Sequence, residues 1–510
     1  MNAHLSDNHD RPVLPGSARV DGTKRLTIPA MMMLTMLLAA CAPGPHEREL
    51  RSLWQQHDRQ RPSDRQASPW LEQRRLPPET EAQGQSANTE GNTSDELPKE
   101  ATFNDLVRYA MRHSPALEAA FLDWRAAIER IPQARSLPAP RLSFEGIIQQ
   151  IDDDPEWIGE RYALSQAFPW FGTLARRGDE AANEALAAER RFEAERLRLA
   201  YAVADAYAEY VYLERALAVK RQNVELLEEL ESAVRAMFEA GNIPHADVVR
   251  AELATEQLKD RLRTLADRAG PIAGRLNAAL GRAARAPLPD PQPLPEPQMQ
   301  EQEAQLLAQL AEQNPELAAL DHESAARRDG VALARKDYYP DFTLGIEYAR
   351  GADTRMGRMD GGGRDMLMGM LSLELPIWRQ RLEAQQREAL ARFGRATHAV
   401  VDRRNELQAD LRLAWYRYQD TTRRDQLFQQ TLIPRAREAW ESTEAAYGQG
   451  EVEFQATTQA QAALLELQLT HERIVTDRFR HLAEIHRLIG RTDFADHRLQ
   501  APAAKQADEQ

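Results

Sequence analysis

Four short segments of the chain alternate regularly between apolar and polar residues. In the third segment, Phe342, Leu344, Ile346 and Tyr348 alternate with Thr343, Gly345, Glu347 and Ala349. A period of two indicates a β-strand with two chemically different faces, and about ten residues is the length of a tilted strand that crosses a bilayer. We therefore expect strands at about 141–150, 161–169, 341–350 and 366–376, forming one hairpin in each half of the chain.

The stretches that follow these segments have the composition of very long helices. Between Pro169 and Pro244 there is no proline, and glycine occurs only near the two ends. A helix from Gly172 to Met237 would be about 100 Å long at a rise of about 1.5 Å per residue. Helices of this length with alanine-rich apolar seams need neighbouring helices to cover them, so we expect a bundle or tube.

Shorter helices are predicted from capping signals. Ser114-Pro115 and Asn314-Pro315 each place a capping residue before a proline, which suits the first position of a helix. Each half is therefore expected to have the same order of elements: a helix, a hairpin, a long helix and a returning helix.

The chain is an internal duplication. A shift of 200 residues aligns Leu106 with Leu306, Pro115 with Pro315, Arg135 with Arg335 and Pro140 with Pro340. At the ends of the repeats the shift is 209, since Leu280-Gly281-Arg282 matches Ile489-Gly490-Arg491. The sequence therefore predicts a first repeat at 97–282, a proline-rich linker at 283–299, a second repeat at 300–491 and a polar C-terminal tail at 492–510.

The N-terminal region has the features of an exported lipoprotein. Lys24 and Arg25 precede an apolar run that extends to Ala40, which predicts a secretory signal at 1–40. The run ends in Leu-Ala-Ala before Cys41, which resembles a bacterial lipobox and implies that the Cys41 thiol carries diacylglycerol. A signal peptide that ends near a cysteine by chance is the alternative.

The residues after Cys41 give the expected destination and a tether. Position 42 holds Ala and not the Asp that resembles an inner-membrane retention signal, so the outer membrane is the destination that the resemblance implies. The stretch 41–96 is rich in Arg, Gln, Pro, Ser and Asn and shows little apolar periodicity. We expect it to be a flexible, lipid-anchored tether.

Composition restricts the possible functions. The formal net charge of −14 argues against nucleic acid as a partner, because such a protein needs a basic surface. A single cysteine excludes a disulfide framework and a cysteine-based zinc or iron–sulfur site. No nucleophile–base pair, metal-ligand set or phosphate loop stands out in the sequence, so we expect neither an enzyme nor a bound cofactor.

Four strands cannot close a barrel by themselves. An open sheet in lipid leaves two unpaired edges, and unsatisfied backbone groups are very costly there. Two copies would supply eight strands and a barrel filled by side chains, whereas three copies would supply twelve strands and an aqueous lumen. The sequence therefore favours a homotrimer of a mainly α-helical chain with a transmembrane β-barrel.

The ordered repetition of these elements resembles the TolC-type outer-membrane efflux proteins. The lipobox, the duplicated order of helix, hairpin and long helical hairpin, and the strand-ending Phe-Pro-Trp-Phe-Gly at 168–172 carry the resemblance over 97–491. It implies a trimer with a twelve-stranded barrel in the outer membrane and a periplasmic tunnel of long helices. It also implies partnership with a periplasmic membrane-fusion adaptor and an inner-membrane efflux transporter of the RND type. The alternative is a lipidated periplasmic coiled-coil adaptor or scaffold without a barrel.

In this family the two long helical turns dock the adaptor and hold the tunnel shut through Tyr, Arg and Asp side chains. This chain matches the family patterns Gly-x5-Asp-Val and Tyr-x2-Gly at Gly241 and Tyr447. The resemblance implies that the docking and gating residues are Gly241, Asn242, Ile243, Asp247, Tyr447, Gly450, Glu451, Val452 and Glu453. The alternative is that the glycines are left-handed helix caps and that Asp247 is a first-turn charge favoured by the helix dipole.

Two departures from the family pattern concern the gate. Val452 stands where some members place the gate arginine, and Ala456 and Gln459 stand where they place two aspartates that ring the entrance. In a trimer, Glu451 and Glu453 would supply six carboxylates at the mouth; the alternative is that they are solvated turn residues. We therefore expect a gate in this chain to be built differently.

Five methionines cluster in the second hairpin, at 356, 359, 366, 368 and 370. Thioethers suit copper(I) and silver(I), but methionine is equally an ordinary apolar residue, and no metal site is predicted. The segment 371–378 resembles the heavy-metal branch of the family, which implies heavy-metal cations as cargo. Drugs and other small organic compounds are the alternative cargo, because the pump and not the channel wall selects what is exported.

Overall fold

A computed structural model of the chain describes residues 97–98, 100–146, 160–295, 299, 301–352 and 364–491, and a few residues between 48 and 56. The chain forms two compact units. The strand unit consists of 132–169 and 341–373, and the helical unit consists of 46–131, 170–340 and the residues from 374 onward. The predicted signal sequence, Cys41, most of the predicted tether and the C-terminal tail lie outside the described residues.

The strand unit is a four-stranded antiparallel sheet. Its strands are β1 (Arg141–Gly146), β2 (Glu160–Phe168), β3 (Asp341–Ala352) and β4 (Arg364–Glu374), in the order β1-β2-β3-β4. The expectation of four strands per chain is confirmed, and residues 147–150 of the first predicted strand lie outside the described residues. The two predicted hairpins form one sheet, because β2 pairs with β3 from Glu160↔Arg350 to Phe168↔Phe342.

The register gives the sheet two chemically different faces. Leu164 lies opposite Ile346, and Tyr162 lies opposite Tyr348, so that apolar residues meet on one face. This apolar face carries the exposed side chains of Leu142, Phe144, Tyr162, Leu164, Leu344, Ile346, Tyr348, Leu367, Leu371 and Leu373. A large exposed apolar surface marks a membrane or a partner interface.

The opposite face of the sheet carries small and polar residues. Ala163 lies opposite Ser143 of β1 and opposite Glu347 of β3. Arg161 links three strands, since its Nε lies 2.7 Å from Glu347 Oε1 and its Nη1 lies 3.6 Å from Glu145 Oε2. We call this side the polar face; such a division suits a strand with lipid on one side and water on the other.

Long helices dominate the rest of the chain. In chain order they are α1 (Phe103–His113), α2 (Pro115–Arg135), α3 (Thr173–Glu239), α4 (His245–Asp267), α5 (Ala269–Ala279), α6 (Glu303–Gln313), α7 (Pro315–Lys336), α8 (Arg379–Leu427), α9 (Ile433–Gly448) and α10 (Phe454–Ile489). Among the described residues, no helix is both long enough and apolar enough to cross a membrane.

Side-chain caps fix where the shorter helices begin. Asn314 Oδ1 accepts a hydrogen bond from the Leu317 backbone N at 3.0 Å, and its Nδ2 donates one to the Leu488 carbonyl at 2.8 Å. The cap therefore also ties α7 to the end of α10. The helix starts predicted at Pro115 and Pro315 are confirmed, but the sequence missed α1 and α6, which directly precede these starts.

The longest helix, α3, extends two residues beyond its predicted end at Met237. This helix is packed on several sides along its length, chiefly by α7 and α10. The residues Val203, Ala204, Ala208, Val211 and Leu213 are each at most 2% exposed. Alanine at two of these positions, 204 and 208, lets neighbouring helices approach closely, as the expected bundle requires.

The two repeats differ in where a helix is interrupted. In the second half a π-helical turn at Phe428–Leu432 separates α8 from α9. Pro434 follows, and its missing N–H prevents a regular α-helical hydrogen bond at this point. In the first half the long helix is continuous, and the returning helix is broken at Arg268, just before Pro271. The halves therefore depart from the identical order that the sequence predicts.

The returning helices of both repeats end at a glycine of the same kind. Gly281 and Gly490 have φ angles of 73° and 79°. A methyl group on Gly281 would lie 2.6 Å from the His113 carbonyl oxygen, and one on Gly490 would lie 2.5 Å from the Gln313 carbonyl oxygen. Both positions therefore require glycine for two reasons, the left-handed backbone conformation and the close approach of another chain segment.

The proline-rich stretch between the repeats packs on α3. The Tyr207 hydroxyl donates a hydrogen bond to the Gln292 carbonyl at 2.9 Å, and the Tyr210 hydroxyl donates one to the Pro289 carbonyl at 3.2 Å. Leu294 is buried, and burial raises the pKa of Tyr207 to about 12. The predicted linker is therefore held against the helices over part of its length.

Candidate functional site

The two long helical turns meet in one apolar cluster. Residues 240–244 connect α3 to α4, and residues 449–453 connect α9 to α10. The buried members of this tip cluster are Val224, Leu227, Leu230, Val234, Val248, Ala251, Leu258, Tyr447, Phe454 and Leu465. The two predicted turns are more than 200 residues apart in the sequence, and the structure brings them together.

Both turns end a helix with the same backbone geometry. Gly241 and Gly450 have φ angles of 77° and 76°. The N–H of the residue after each glycine donates to a carbonyl five residues back, from Asn242 to Met237 at 3.0 Å and from Glu451 to Ala446 at 2.9 Å. This arrangement is a glycine helix cap, so capping alone accounts for the conformation of the two glycines.

Tyr447 is a buried aromatic member of the tip cluster. It is 5% exposed, and its ring meets that of Phe454 with centroids 5.5 Å apart. Burial, and after it the negative charge of Asp247, raises the pKa of the Tyr447 hydroxyl. Within the part of the chain that the structure describes, this buried hydroxyl has no hydrogen-bond partner. Leaving such a group unpaired costs about 1–3 kcal/mol.

Asp247 is buried beside the first turn, at the start of α4. Arg250 Nη1 lies 3.1 Å from Asp247 Oδ1, and the Asp247 N–H donates to the Pro244 carbonyl at 3.0 Å. The carboxylate is therefore held by its own helix, although its charge acts on Tyr447 of the other turn. The Tyr, Arg and Asp residue types of the expected link are all present at the tip.

The remaining predicted residues are either exposed or packed against the tip cluster. Ile243 and Val452 are half-buried and pack against the tip cluster. Gly241, Asn242, Gly450, Glu451 and Glu453 are exposed. Val452, at the place of the family's gate arginine, thus contributes apolar packing and not a charge.

Sequence reasoning missed a group of carboxylates next to this cluster. Glu444 of α9 lies close to Glu441 on the same helix and to Glu229 of α3. Burial raises the pKa of Glu444, and the charges of Glu229 and Glu441 raise it further. The spacing of three between Glu441 and Glu444, just before Tyr447, is the only signal of this group in the sequence.

The described residues contain no group of three or more His, Cys, Asp or Glu side chains that could hold a metal ion. Several ion pairs in the helical unit instead join different helices. Arg480 of α10, for example, contacts Asp205 at 3.0 Å and Glu209 at 2.9 Å, both on α3.

Comparison with known proteins gives the family. A family model described as outer membrane efflux protein matches residues 106–282 and 306–491. Outer membrane protein OprJ of Pseudomonas aeruginosa is 25% identical over 375 residues, which cover 69% of this chain and 76% of OprJ.

Solved structures share the fold. A membrane protein from Pseudomonas aeruginosa has a TM-score of 0.66 and 22% identity, covering 76% of this chain and 92% of its own. A structure of CusC has a TM-score of 0.64 and 16% identity, with the same two coverages. Because the family model matches both repeats over most of their length, the chain belongs to the outer membrane efflux protein family, a family of bacterial outer-membrane channels and not of enzymes.

Proposed function

We propose that three copies of the chain form one outer-membrane channel, which is the passive exit duct of a tripartite efflux pump. The main support for the proposal is the structure of the four-stranded sheet, which has an exposed apolar face, a polar face and two edge strands. Among the described residues, β1 pairs with β2 alone and β4 with β3 alone, so each has one edge available. Joining β4 of one copy to β1 of the next gives twelve strands and satisfies every backbone group in lipid.

Aromatic residues directly next to the strands support a membrane position. Phe171 and Trp378 are 70% and 72% exposed and follow β2 and β4 in the chain. Tyr339 precedes β3, and its ring stacks on that of Trp170 with centroids 5.2 Å apart. Exposed aromatic rings at strand ends are the pattern of the girdle at a membrane surface.

A lipid on Cys41 fits the position of the N-terminal segment. Arg51 Nη2 lies 3.3 Å from Glu129 Oε2, near the C-terminal end of α2. Ten residues separate Cys41 from Arg51, and an extended chain of that length reaches about 35 Å. A lipid on Cys41 would therefore lie within about 35 Å of Arg51. Mass spectrometry of the mature N-terminal peptide tests for the diacylglycerol.

The exposed surface of the two turns is the proposed docking site for the periplasmic membrane-fusion adaptor, which connects the channel to the inner-membrane transporter. Tyr447 and Asp247 below that surface are the proposed gate. In this gate the Tyr447 hydroxyl, unpaired among the described residues, finds an acceptor when the turns shift. Glu451 and Glu453 would add six carboxylates around the entrance of a trimer.

Replacing both Gly241 and Gly450 with valine is expected to weaken adaptor binding at least about tenfold, because β-branched residues disfavour the left-handed conformation by about 1–2 kcal/mol each. A Cβ atom at either position meets no atom within 4 Å, so the main effect is on the backbone of the turns. Site-specific cross-linking to the adaptor measures the effect. The matched control is Gly394→Val, at a helical glycine of α8 that also has open space around it. Cross-linking that stays intact in the double variant would refute the docking role.

The cargo falls into two classes that fit the channel. Heavy-metal cations are one, and drugs or other small organic compounds are the other. Deleting the gene and measuring sensitivity to copper, silver, zinc, cadmium and a panel of drugs separates the two, because only the exported class becomes more toxic. The structural likeness to CusC does not decide between them, since at 16% identity it concerns the fold alone.

The proposed channel is tested by purification from outer membranes. We expect the protein to require detergent, to behave as a trimer in native mass spectrometry and to give ion conductance in planar bilayers. A monomer that stays in solution without detergent and gives no conductance would contradict the proposal. That result would instead favour the alternative of a lipidated periplasmic adaptor or scaffold. The exposed apolar face of the sheet argues against this alternative.

A further inference from the structure

Three methionines on β4 have a position that membrane insertion does not explain. Met366, Met368 and Met370 occupy every second position of the strand. A methyl group on Gly345 would lie 3.0 Å from Met370 Cε, and Gly345 lies opposite Ser165 in β2, on the polar face. The even-numbered residues of β4, and therefore all three methionines, lie on the polar face.

A second contact gives the same parity for β4. The Tyr348 hydroxyl donates a hydrogen bond to Asp365 Oδ2. Tyr348 lies on the apolar face of the sheet, opposite Tyr162. The odd-numbered residues of β4, which include Leu367, therefore lie on the apolar face, and the methionines alternate with them.

The methionines do not fill a core. Met368 is 38% exposed and Met370 is 47% exposed on the polar face, and the leucines of the strand are exposed on the apolar face. Exposed apolar side chains on a wet surface forgo the stabilisation of about 1.5–3 kcal/mol that burial of each would give. Ordinary packing, which the sequence left open as an explanation, therefore does not account for Met368 and Met370, whereas Met366 is half-buried.

We propose that Met366, Met368 and Met370 form a binding site for a soft monovalent cation, copper(I) or silver(I), on the polar face of the sheet. If the sheet closes into the proposed channel, this face lines the lumen, and in that respect the inference rests on the proposed function. Thioether sulfur is a neutral, polarisable ligand that selects such ions over hard cations, which prefer oxygen.

The strand geometry defines two overlapping sites. Neighbouring methionines are two residues apart, or about 7 Å between Cα atoms, and the outer two are about 14 Å apart. Long, flexible side chains bring neighbouring sulfurs to one ion, but the outer pair is too far apart to share one. The sites are therefore Met366 with Met368 and Met368 with Met370, each giving two-coordinate ligation. Met368 belongs to both sites, and the protomer binds one ion at a time.

The test is silver(I) binding by the full-length protein in detergent, in chloride-free nitrate buffer, followed by calorimetry and X-ray absorption. We expect one silver ion per protomer with sulfur as the ligand. Met368→Leu removes both sites and is expected to lower the affinity at least about tenfold. Met366→Leu and Met370→Leu each leave one site and are expected to lower it about twofold. Leucine keeps the volume of methionine, so the fold of the sheet is conserved.

Two control variants make the test specific. The first, Met111→Leu/Met237→Leu/Met299→Leu, changes every methionine of residues 42–510 outside the second hairpin. The second, Met356→Leu/Met359→Leu, changes the other two methionines of the hairpin. Both are expected to bind silver as the unchanged protein does. A protein that binds no silver, a Met368→Leu variant equal to the Met366→Leu variant, or a control that loses binding would each overturn the proposed site.

Conductance measurements distinguish a failure of the methionine site from a failure of the channel proposal. In planar bilayers, silver nitrate is expected to reduce the current through the unchanged protein and to leave that through Met368→Leu unaffected. Silver binding without any trimer or conductance would show that the channel proposal fails while the methionine site stands. Normal conductance without silver binding would show the reverse.

Discussion

Arginine in place of Leu164 is expected to prevent assembly of the protein in the outer membrane, whereas arginine in place of the adjacent Ala163 is expected to be tolerated. Leu164 is 53% exposed on the apolar face, and Ala163 lies on the polar face next to Glu347. An arginine that faces lipid near the middle of the bilayer costs about 2–4 kcal/mol, which corresponds to about 30- to 900-fold in an equilibrium. A trimer incurs this cost three times.

The two substitutions are a matched pair because they introduce the same residue at neighbouring positions of one strand. Their depth in the membrane differs by about 3.4 Å, so the face is the principal difference. The amount of trimer in outer-membrane fractions, measured by immunoblot of unheated samples, gives the result. Equal yields for Leu164→Arg and Ala163→Arg would show that the apolar face does not contact lipid, and the barrel would then have to be abandoned.

The Gly490→Ala substitution is expected to destabilise the helical unit far more than Gly450→Ala. Both glycines have left-handed backbone, with φ angles of 79° and 76°, so alanine costs about 1–2 kcal/mol at either position. At Gly490 the new methyl group would also lie 2.5 Å from the Gln313 carbonyl oxygen, whereas at Gly450 it meets no atom within 4 Å. The total at Gly490 is expected to be at least about twice that at Gly450.

The duplication supplies an internal replicate of this comparison. Gly281 corresponds to Gly490 and lies against the His113 carbonyl, and Gly241 corresponds to Gly450 and has open space around it. We expect Gly281→Ala to behave as Gly490→Ala does and Gly241→Ala as Gly450→Ala does. The temperature at which the proposed trimer, purified in detergent, dissociates ranks the four variants. A Gly490→Ala protein as heat-resistant as Gly450→Ala would contradict the close approach.

Local signals in the sequence predicted most of the secondary structure. The capping pairs at Pro115 and Pro315 gave the helix starts, because an N-terminal cap depends on residues within one turn. The sequence missed α1 and α6, whose short apolar patterns end just before those prolines. It also missed the π-helical turn at Phe428–Leu432, although Pro434 marks the place, since the same residue type starts a helix elsewhere in the chain.

The candidate site was predicted as two separate turns on the strength of the family resemblance. Its glycines are helix caps, which sequence spacing can suggest because capping is local. The sequence alone does not show that Tyr447 is 5% exposed, that the charge of Asp247 acts on it, or that Glu229 lies near Glu444. Each of these depends on how α3, α4, α9 and α10 pack together, which brings side chains about 200 residues apart in the sequence into contact.

The sequence by itself determined the four alternating strands, the long helices and the duplication, because these follow from the residue period and from capping residues close by in the chain. Only the tertiary structure decided that β2 pairs with β3 and that the methionines of β4 lie on the polar face. The physical reason is that alternation divides a strand into two faces but does not show which residues of the neighbouring strands lie on the same face. That choice is made by register, and register depends on hydrogen bonds between segments that are distant in the chain.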